Sequence, residues 1–479
     1  MTRLVLVFVF CLVASGIACA DSPWAELART DLKAVHDTLR DNHPGIPDPR
    51  DPHYRIWLET GLAPALKQAR DARNYDDYLR VVMFYVNGFS DDHIAVYPVL
   101  QERLLTWADF LVGGKPDGTV HVAVAWPDAG VKIGDTLLSC DGKSADALLR
   151  ERTDPYYWNA AIPHARVLQA WRLFYQGRQD EQAKPSSCVF SSGTVAVHWH
   201  NTNVDELQPK IDAARGLGAR ELGLHKIGEV WMITIPTFNF QTDAQLGQLK
   251  SFVAMLNAHA PELRKGIVVL DVRGNTGGNS SWATEILATL WGQNWIDHIT
   301  SQFDETVDWR ASPANIAAVE DNVAFARANG LKDNAAYYER GAAAMRAALA
   351  KGEPYGRTVE PVEITPQPSS NPVTGHVYLF TDGECASSCL IFTDIVRRLP
   401  GTQHIGFPTF ADTNYIDNTN VLAPSGLVYI SYSLKMYVHR VRKNNEWYEP
   451  QIKWPGGPAT DNTIAAWAED LAQRKAEAK

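Results

Sequence analysis

Apolar residues at the start of the chain recur every three or four positions, which is the period of an amphipathic helix. This spacing predicts a helix over residues 27–39 and a second helix over 75–86. The first helix must end before His43, because the proline that follows disfavours helical geometry at the preceding residue. A short apolar run at 93–97 predicts a strand. Residues 21–105 are therefore predicted to form a mainly helical region.

The apolar spacing then changes to the alternating or continuous runs that are typical of strands. An Asp-Gly pair at 141–142 marks a turn among them. We expect a β-rich region over residues 106–200, with strands at 120–124, 136–139 and 196–200.

From residue 226 onward, apolar runs alternate with amphipathic stretches, which indicates an α/β core. The run at 267–272 is apolar at nearly every position, as expected of a strand that is buried on both faces. Alanine-rich segments, which favour helices, interrupt this rhythm. We therefore predict a helical insertion over 297–372 and a C-terminal helix over 456–479. The core itself is predicted over 221–296 and 373–455, with helices at 243–259, 281–291 and 388–398.

Composition and charge narrow the class of function. The chain has 479 residues, of which 45% are hydrophobic and 21% charged, as is ordinary for globular proteins. Its formal charge of −10 and the lack of a basic block argue against nucleic acid as a partner. The sequence has neither the His-Glu-x-x-His nor the Cys-x-x-Cys spacing of zinc sites, and no glycine-rich nucleotide fingerprint. We therefore expect no metal and no cofactor.

The N-terminus has the layout of a secretory signal peptide. Arg3 precedes an uncharged apolar run, and small residues lead to Ala18-Cys19-Ala20, which predicts cleavage after Ala20. Acylation of Cys19, as in a lipoprotein, is the less favoured alternative, because Gly16 replaces the large aliphatic residue expected three positions upstream. No later stretch has transmembrane length. We predict an exported protein, periplasmic or secreted, without stable membrane insertion after cleavage.

Cleavage would leave four cysteines, at positions 140, 188, 385 and 389. In an exported protein four cysteines can form two disulfides, for which three pairings exist. Cys385 and Cys389 lie one helical turn apart, which allows a local bridge if their Cα atoms come within about 7 Å. Two buried thiols are the alternative.

Two junctions between a predicted strand and a predicted helix carry residues that are suited to catalysis. Residues 271–279 contain three glycines, whose backbone N–H groups can approach a ligand closely and stabilise an oxyanion or hold a phosphate. Residues 381–389 place Ser387 and Ser388 at a helix N-terminus, where a serine either serves as nucleophile or caps the helix. Taken alone, the first junction is equally well explained as a plain glycine turn, and for the second a helix cap is the favoured explanation.

Four segments together resemble the C-terminal-processing (tail-specific) serine peptidases, in their tricorn-like branch with a catalytic histidine. Residues 269–278 are similar to that family's strand followed by D-x-R-x-N-x-G-G, and 385–389 are similar to its nucleophile segment. Residues 90–93 resemble its D-x-H segment, and 129–142 resemble the core of a PDZ-like module. The resemblance implies a multi-domain α/β fold, in which a ClpP/crotonase-like catalytic core follows an N-terminal helical region and a PDZ-like β-rich module.

The chain departs from many members of that family at one position. Those members use a Ser/Lys dyad with lysine 25 residues after the serine, and here Asp412 occupies the lysine's place. The resemblance therefore implies the Ser/His/Glu variant, with Ser387 as nucleophile, His93 as general base and Glu446 as the acid that orients the histidine. Glu449 is the alternative acid, less favoured because it stands on a variable position next to proline.

The same resemblance assigns the oxyanion hole to the backbone N–H groups of Gly277 and Ser388, and substrate binding to Gly278 and Asn275. It implies an exported serine endopeptidase that hydrolyses polypeptides by acyl transfer, with tail specificity suggested by the PDZ-like stretch. A non-catalytic ligand- or peptide-binding protein on the same scaffold and an esterase with the same triad are the alternatives. No oligomeric state is predicted.

Overall fold

A computed structural model of the chain describes residues 22–99, 104–115, 117–177, 182–216, 220–304, 306–359 and 363–477. The predicted signal peptide, residues 1–20, lies outside these ranges. None of the helices in the described ranges is long and apolar enough to cross a lipid bilayer.

The N-terminal part is helical, as its apolar spacing predicts. The first helix is capped at its N-terminus by Ser22, whose hydroxyl accepts the Ala25 N–H, and at its C-terminus by His43. The third helix begins at Asn74, whose side chain accepts the Asp77 N–H. The elements are α1 (Pro23–Asn42), α2 (His53–Ala69), α3 (Tyr75–Asn87) and the short strand β1 (Ala95–Pro98).

The middle of the chain is rich in short strands, which in the described residues form sheets of three, two and four strands. A disulfide between Cys140 and Cys188 joins two paired strands of the third sheet. Two short 3-10 helices, Pro163–Ala165 and Val167–Phe174, precede the seventh strand. The elements are β2 (Leu104–Ala108), β3 (Phe110–Gly114), β4 (Val120–Ala125), β5 (Leu137–Cys140), β6 (Lys143–Ser144), α4 (Ala145–Arg152), α5 (Asp154–Tyr157), β7 (Tyr175–Gly177), β8 (Ser187–Phe190), β9 (Gly193–Ala196), β10 (Trp199–Asn203) and α6 (Val204–Ala214).

The remainder of the chain alternates strands and helices. The elements are β11 (Gly223–Ile227), β12 (Val230–Thr234), α7 (Asp243–Leu263), β13 (Ile267–Asp271), α8 (Ser281–Trp291), α9 (Gln293–Thr300), β14 (Val307–Arg310), α10 (Pro313–Ala328), α11 (Lys332–Lys351), β15 (Tyr355–Thr358), β16 (His376–Thr381), α12 (Ser388–Val396), β17 (Thr402–Gly406), β18 (Tyr415–Leu422), β19 (Val428–Tyr437), β20 (Ile452–Lys453) and α13 (Asp461–Glu477).

The α/β core is built on a six-stranded sheet with the order β11-β12-β13-β16-β17-β20. All its pairings are parallel except that of the edge strand β11. Helices α7, α8 and α12 pack on one face of the sheet, and α13 packs on the other. Strand β13 is therefore covered on both sides, which explains its continuous apolar sequence.

The segment predicted as a helical insertion, 297–372, is not helical throughout. Its two alanine-rich stretches form α10 and α11, as predicted, but β14 and β15 join a second sheet with the order β1-β19-β14-β15, and β18 pairs with β19. This sheet shares one apolar cluster with α1, α2, α3, α10 and α11. The side chain of Asn315 donates to the Asn42 carbonyl at 2.9 Å. The segment is thus packed onto the N-terminal helices.

Candidate active site

The glycine-containing junction and the serine-containing junction lie side by side at the carboxyl ends of two central strands of the core sheet. Strands β13 and β16 are adjacent and parallel, with Asp271 opposite Phe380, so the loops that follow them leave the sheet side by side. A Cβ atom added to Gly277 would lie 2.8 Å from the Cβ of Ser387, and this glycine has a φ of 104°. Only glycine fits this approach without displacing the serine loop.

Ser387 stands on a strained turn directly before α12. Its φ of 53° and ψ of −120° lie in a region that residues with a side chain rarely adopt. Such strain persists where the surrounding structure enforces it and is concentrated at functional sites. Its side chain is partly exposed and caps no helical N–H group. The capping interpretation of Ser387 is therefore wrong.

Ser388 has a different role from its neighbour. Its side chain is buried, and its hydroxyl donates to the Gly278 carbonyl at 2.6 Å. This hydrogen bond ties the start of α12 to the glycine loop and leaves Ser387 as the accessible serine of the pair.

Asn275 shapes the glycine loop from inside. The residue is fully buried, its amide group donates to the Ile235 carbonyl at 2.9 Å, and its side-chain oxygen accepts the Gly277 N–H at 2.9 Å. The prediction that Asn275 contacts substrate is therefore wrong, and the Gly277 N–H is already engaged. In the part of the chain that the structure describes, the N–H groups of Gly278 and Ser388 have no hydrogen-bond acceptor.

Asp382 joins the two loops and was not predicted as a site residue. One carboxylate oxygen accepts the Gly274 N–H at 2.9 Å, and the other accepts the Glu384 N–H at 3.1 Å. Burial, together with the nearby charge of Glu384, raises the pKa of Asp382 to about 7. An aspartate directly after a strand and before glycine was the available sequence signal, since such residues bind the backbone two positions on.

His93 lies in the turn before β1, beside a buried carboxylate. Its backbone N–H donates to an Asp91 carboxylate oxygen at 2.9 Å, and its ring Nδ1 lies 3.6 Å from the same atom. The Thr413 hydroxyl donates to that oxygen at 3.0 Å and lies 3.4 Å from Nδ1. Burial by itself would lower the pKa of His93, but the Asp91 carboxylate outweighs it and raises the pKa above its ordinary value.

The second carboxylate oxygen of Asp91 is held from the other side. The Tyr54 hydroxyl donates to it at 2.8 Å, and the Nε2 atom of His43 lies 3.5 Å away. His43 is fully buried, and its Nδ1 accepts the Gly45 N–H at 3.0 Å, so Nε2 carries the proton of the neutral ring. Burial would raise the pKa of Asp91, but the two histidines outweigh it and lower that pKa.

The segment that follows β17 contacts both the region around Ser387 and the histidine. Phe410 and Ala386 line one cavity of about 250 Å³, which we call the nucleophile pocket, while Thr413 contacts His93. Within the described residues, no hydrogen bond joins the His93 ring to the Ser387 hydroxyl. The remaining lining residues of the nucleophile pocket are Leu168, Gln169, Trp171, Arg172, Arg215, Thr276, Gly383 and Glu384.

Comparison with known proteins gives matches for the core and for the fold. The model of peptidase family S41 matches residues 229–452. The α/β core belongs to peptidase family S41. No curated protein sequence matches the chain. The chain is a serine-type peptidase, and its S41 core contains both strand-to-helix junctions.

Two structures of mature CPAF share the fold over most of the chain. The crystal structure of mature CPAF is 15% identical, covers 94% of this chain and 97% of its own, and superposes with a TM-score of 0.63. The structure of mature CPAF complexed with lactacystin has a TM-score of 0.64 at the same identity, covering 95% of this chain and 99% of its own. The structure of the photosystem II D1 C-terminal processing protease is 9% identical, covers 89% of this chain and 93% of its own, and has a TM-score of 0.37.

The predicted orienting acid does not reach the histidine. Glu446 is exposed, and its carboxylate accepts the Lys443 N–H at 2.7 Å. The alternative, Glu449, accepts the indole N–H of Trp447 and pairs with a lysine. Among the described residues, Asp91 is the carboxylate that lies beside the His93 ring.

Asp412, which stands where many S41 peptidases carry lysine, belongs to a buried ion-pair cluster. It lies 2.6 Å from Arg442 and 3.3 Å from Arg440, and Arg442 also contacts Asp394 at 3.2 Å. Burial would raise the pKa of Asp412, but the two arginines outweigh it and lower that pKa. The aspartate therefore fixes the segment that follows β17 through its two arginines.

The Asp-x-Arg part of the S41 motif anchors the C-terminal helix. Arg273 is buried and forms two hydrogen bonds with Asp271, at 2.7 and 2.5 Å. It also donates to Asp461, the first residue of α13, at 2.5 Å. These contacts join the end of β13 to the start of α13, and neither Asp271 nor Arg273 lines the nucleophile pocket.

The predicted disulfide between Cys385 and Cys389 is present. The two sulfur atoms are bonded, the Cα atoms are 5.3 Å apart, and both residues are buried. The bridge closes a five-residue loop around Ser387, so it fixes the strained turn to the first turn of α12.

We expect the double variant Cys385→Ala/Cys389→Ala to be less stable by about 2 kcal/mol, as the entropy of so short a loop implies. Its kcat should fall roughly tenfold, because the strained turn relaxes. Denaturant unfolding and steady-state peptide hydrolysis measure both effects. The matched control, Cys140→Ala/Cys188→Ala, removes a bridge in the β-rich region, so it should lose stability without losing kcat. Unchanged kcat in the first variant would contradict the prediction.

Proposed function

We propose that the chain hydrolyses polypeptides by acyl transfer, with Ser387 as nucleophile and His93 as general base. The observation that carries this proposal is the backbone of Ser387, which holds an accessible hydroxyl on a strained turn at a helix N-terminus, against a glycine loop. A serine in this setting is a nucleophile candidate because adjacent N–H groups can stabilise the charge that forms when it attacks a carbonyl.

In the proposed reaction, the Ser387 hydroxyl attacks the peptide carbonyl while its proton passes to Nε2 of His93. The protonated imidazole then gives that proton to the leaving amine, and water hydrolyses the acyl-enzyme by the same two steps. Asp91 would hold Nδ1–H and stabilise the imidazolium. Since catalytic hydrogen bonds often tighten only when substrate binds, we propose that substrate brings His93 onto Ser387.

The proposed oxyanion hole consists of the Gly278 and Ser388 N–H groups. Gly278 is exposed, and its N–H lies in the same peptide plane as the Gly277 carbonyl, which accepts the Phe238 N–H at 2.9 Å, so this contact fixes the direction of the Gly278 N–H. This assignment replaces Gly277, whose N–H donates to Asn275. Each such donor is worth about 3 kcal/mol of transition-state stabilisation.

We further propose that the peptidase is exported and acts near free C-termini. Two disulfides suit an oxidising compartment outside the cytosol, in line with the predicted signal peptide. Tail specificity rests on the stretch 129–142, which resembles a PDZ-like module, because such modules add a peptide strand and capture its carboxylate.

A fluorophosphonate probe tests the proposal directly. Purified protein should be labelled on a single residue, and peptide mapping by mass spectrometry should place the label on Ser387. Comparison of matched peptide and ester substrates then separates a peptidase from an esterase, for which only the ester would turn over. Absence of labelling together with absence of turnover would show a binding protein on the same scaffold and would overturn the proposal.

A further inference from the structure

Arg172 lies in the wall of two cavities at once. One is the nucleophile pocket, which it shares with Ala386 and Thr276. The other is a larger cavity of about 500 Å³ between α3 and the β-rich region, lined by several tyrosines. The two cavities therefore share Arg172, and the smaller one reaches Ala386, the residue before the proposed nucleophile.

The guanidinium of Arg172 is held in one orientation by its neighbours. It lies 3.9 Å from the ring centre of Tyr157 and 4.0 Å from that of Trp171. Its Nε donates to the Gln169 side-chain oxygen at 3.1 Å, and Nη1 donates to the Tyr175 hydroxyl at 3.3 Å. Stacking and neutral hydrogen-bond partners orient the group without neutralising its charge.

The charge of Arg172 is not balanced by a carboxylate in the described residues. The other arginine of the nucleophile pocket, Arg215, is paired with Glu384 at 3.1 Å. The charged residues that line this pocket thus sum to one positive charge. Its remaining walls include the apolar side chains of Leu168 and Phe410, which lower the local dielectric constant and strengthen the attraction for an anion.

We propose that Arg172 binds a carboxylate of the substrate next to the scissile bond. Its planar fork matches a carboxylate geometrically. That carboxylate has two sources in a polypeptide, a free C-terminus and an Asp or Glu side chain. The proposal rests on the proposed peptidase function, and it adds a specificity-determining residue outside the catalytic groups.

The experiment compares four quenched-fluorescence peptides of one sequence, which carry a free or an amidated C-terminus and either Glu or Gln near the cleavage site. In the wild-type protein, kcat/KM should be roughly tenfold higher for the anionic form at the recognised position, as one charge-assisted hydrogen bond implies. Comparison of the two pairs identifies which carboxylate is bound. In Arg172→Gln the preference should fall to within about twofold, because kcat/KM for the anionic peptide falls by more than kcat/KM for the neutral peptide.

Two further variants serve as controls. Arg172→Lys keeps the charge and loses the planar fork, so it should retain a partial preference. Arg150→Gln removes one positive charge from an exposed arginine on α4, which is paired with Asp146, and should retain the full preference. A wild-type protein that does not distinguish the peptides, or an Arg172→Gln variant that keeps the preference, would overturn the proposal. Equal losses on anionic and neutral peptides would also overturn it.

A binding measurement separates this proposal from the catalytic one. Fluorescence anisotropy with Ser387→Ala and a labelled anionic peptide requires no hydrolysis. Roughly tenfold tighter binding of the anionic peptide, lost in the double variant with Arg172→Gln, supports the subsite even if the wild-type protein proves catalytically inactive. Equal binding of anionic and neutral peptides overturns the subsite even if hydrolysis is normal.

Discussion

Ser387→Ala should reduce kcat for peptide hydrolysis by about 10⁴-fold or more and abolish fluorophosphonate labelling. The variant removes only the hydroxyl, which caps no helix and makes no buried hydrogen bond in the described part of the structure. Its fold and melting temperature should therefore stay close to those of the wild-type protein. Steady-state kinetics, labelling and circular dichroism measure the three quantities on one preparation.

The adjacent serine provides a matched comparison. Ser388→Ala breaks the hydrogen bond to the Gly278 carbonyl and should cost about 1 kcal/mol of stability. Its kcat should fall less than that of Ser387→Ala, since the Ser388 N–H remains, and labelling should persist. If Ser387→Ala keeps its activity, or if labelling is lost only in Ser388→Ala, then Ser387 is not the nucleophile.

Most of the core was predictable because burial on both faces leaves a strong local pattern. The helix predicted over 281–291 has those bounds in the structure, and the strand predicted over 267–272 differs by one residue. Strand β18 was missed because several of its residues are polar or exposed and it is held by pairing with β19. Tertiary pairing of this kind overrides strand propensity. Strands β14 and β15 have four residues each, include charged side chains and flank the alanine-rich stretches, whose helical signal dominates the segment.

Some residues of the candidate site could be predicted from a short segment of sequence, whereas the surroundings of others depend on contacts between distant parts of the chain. Ser387 and the two cysteines around it lie in one short segment, so the sequence indicated them. The setting of Asp91 depends on Thr413, which is 322 positions away, and no spacing rule predicts such a contact. The local signal was an aspartate two residues before His93, where its carboxylate accepts the histidine N–H.

Asp91→Asn should lower the plateau of kcat/KM by about 10³- to 10⁴-fold, because an amide neither fixes the imidazole tautomer nor stabilises the imidazolium. It should also move the acid limb of the pH profile. His93 must be neutral to accept the serine proton, so activity is lost as pH falls through its pKa. Asp91 raises that pKa. Its removal should therefore shift the acid limb to lower pH. A profile of kcat/KM from about pH 4 to about pH 9 would measure this shift, because it spans roughly two units on either side of an ordinary histidine pKa.

Two control variants, each of which neutralises a different carboxylate, show whether the effect is specific to Asp91. Asp92→Asn alters the exposed neighbour, whose carboxylate accepts from Asn159 at 2.8 Å, and should keep the plateau within about threefold. Glu446→Gln alters the acid that the family resemblance favoured and should also keep the plateau, because that carboxylate faces the Lys443 N–H. The opposite result would be a plateau that collapses in Glu446→Gln but survives in Asp91→Asn. It would show that substrate binding brings Glu446 to His93, because the acid that orients the base must lie within hydrogen-bond reach of Nδ1 when the reaction occurs.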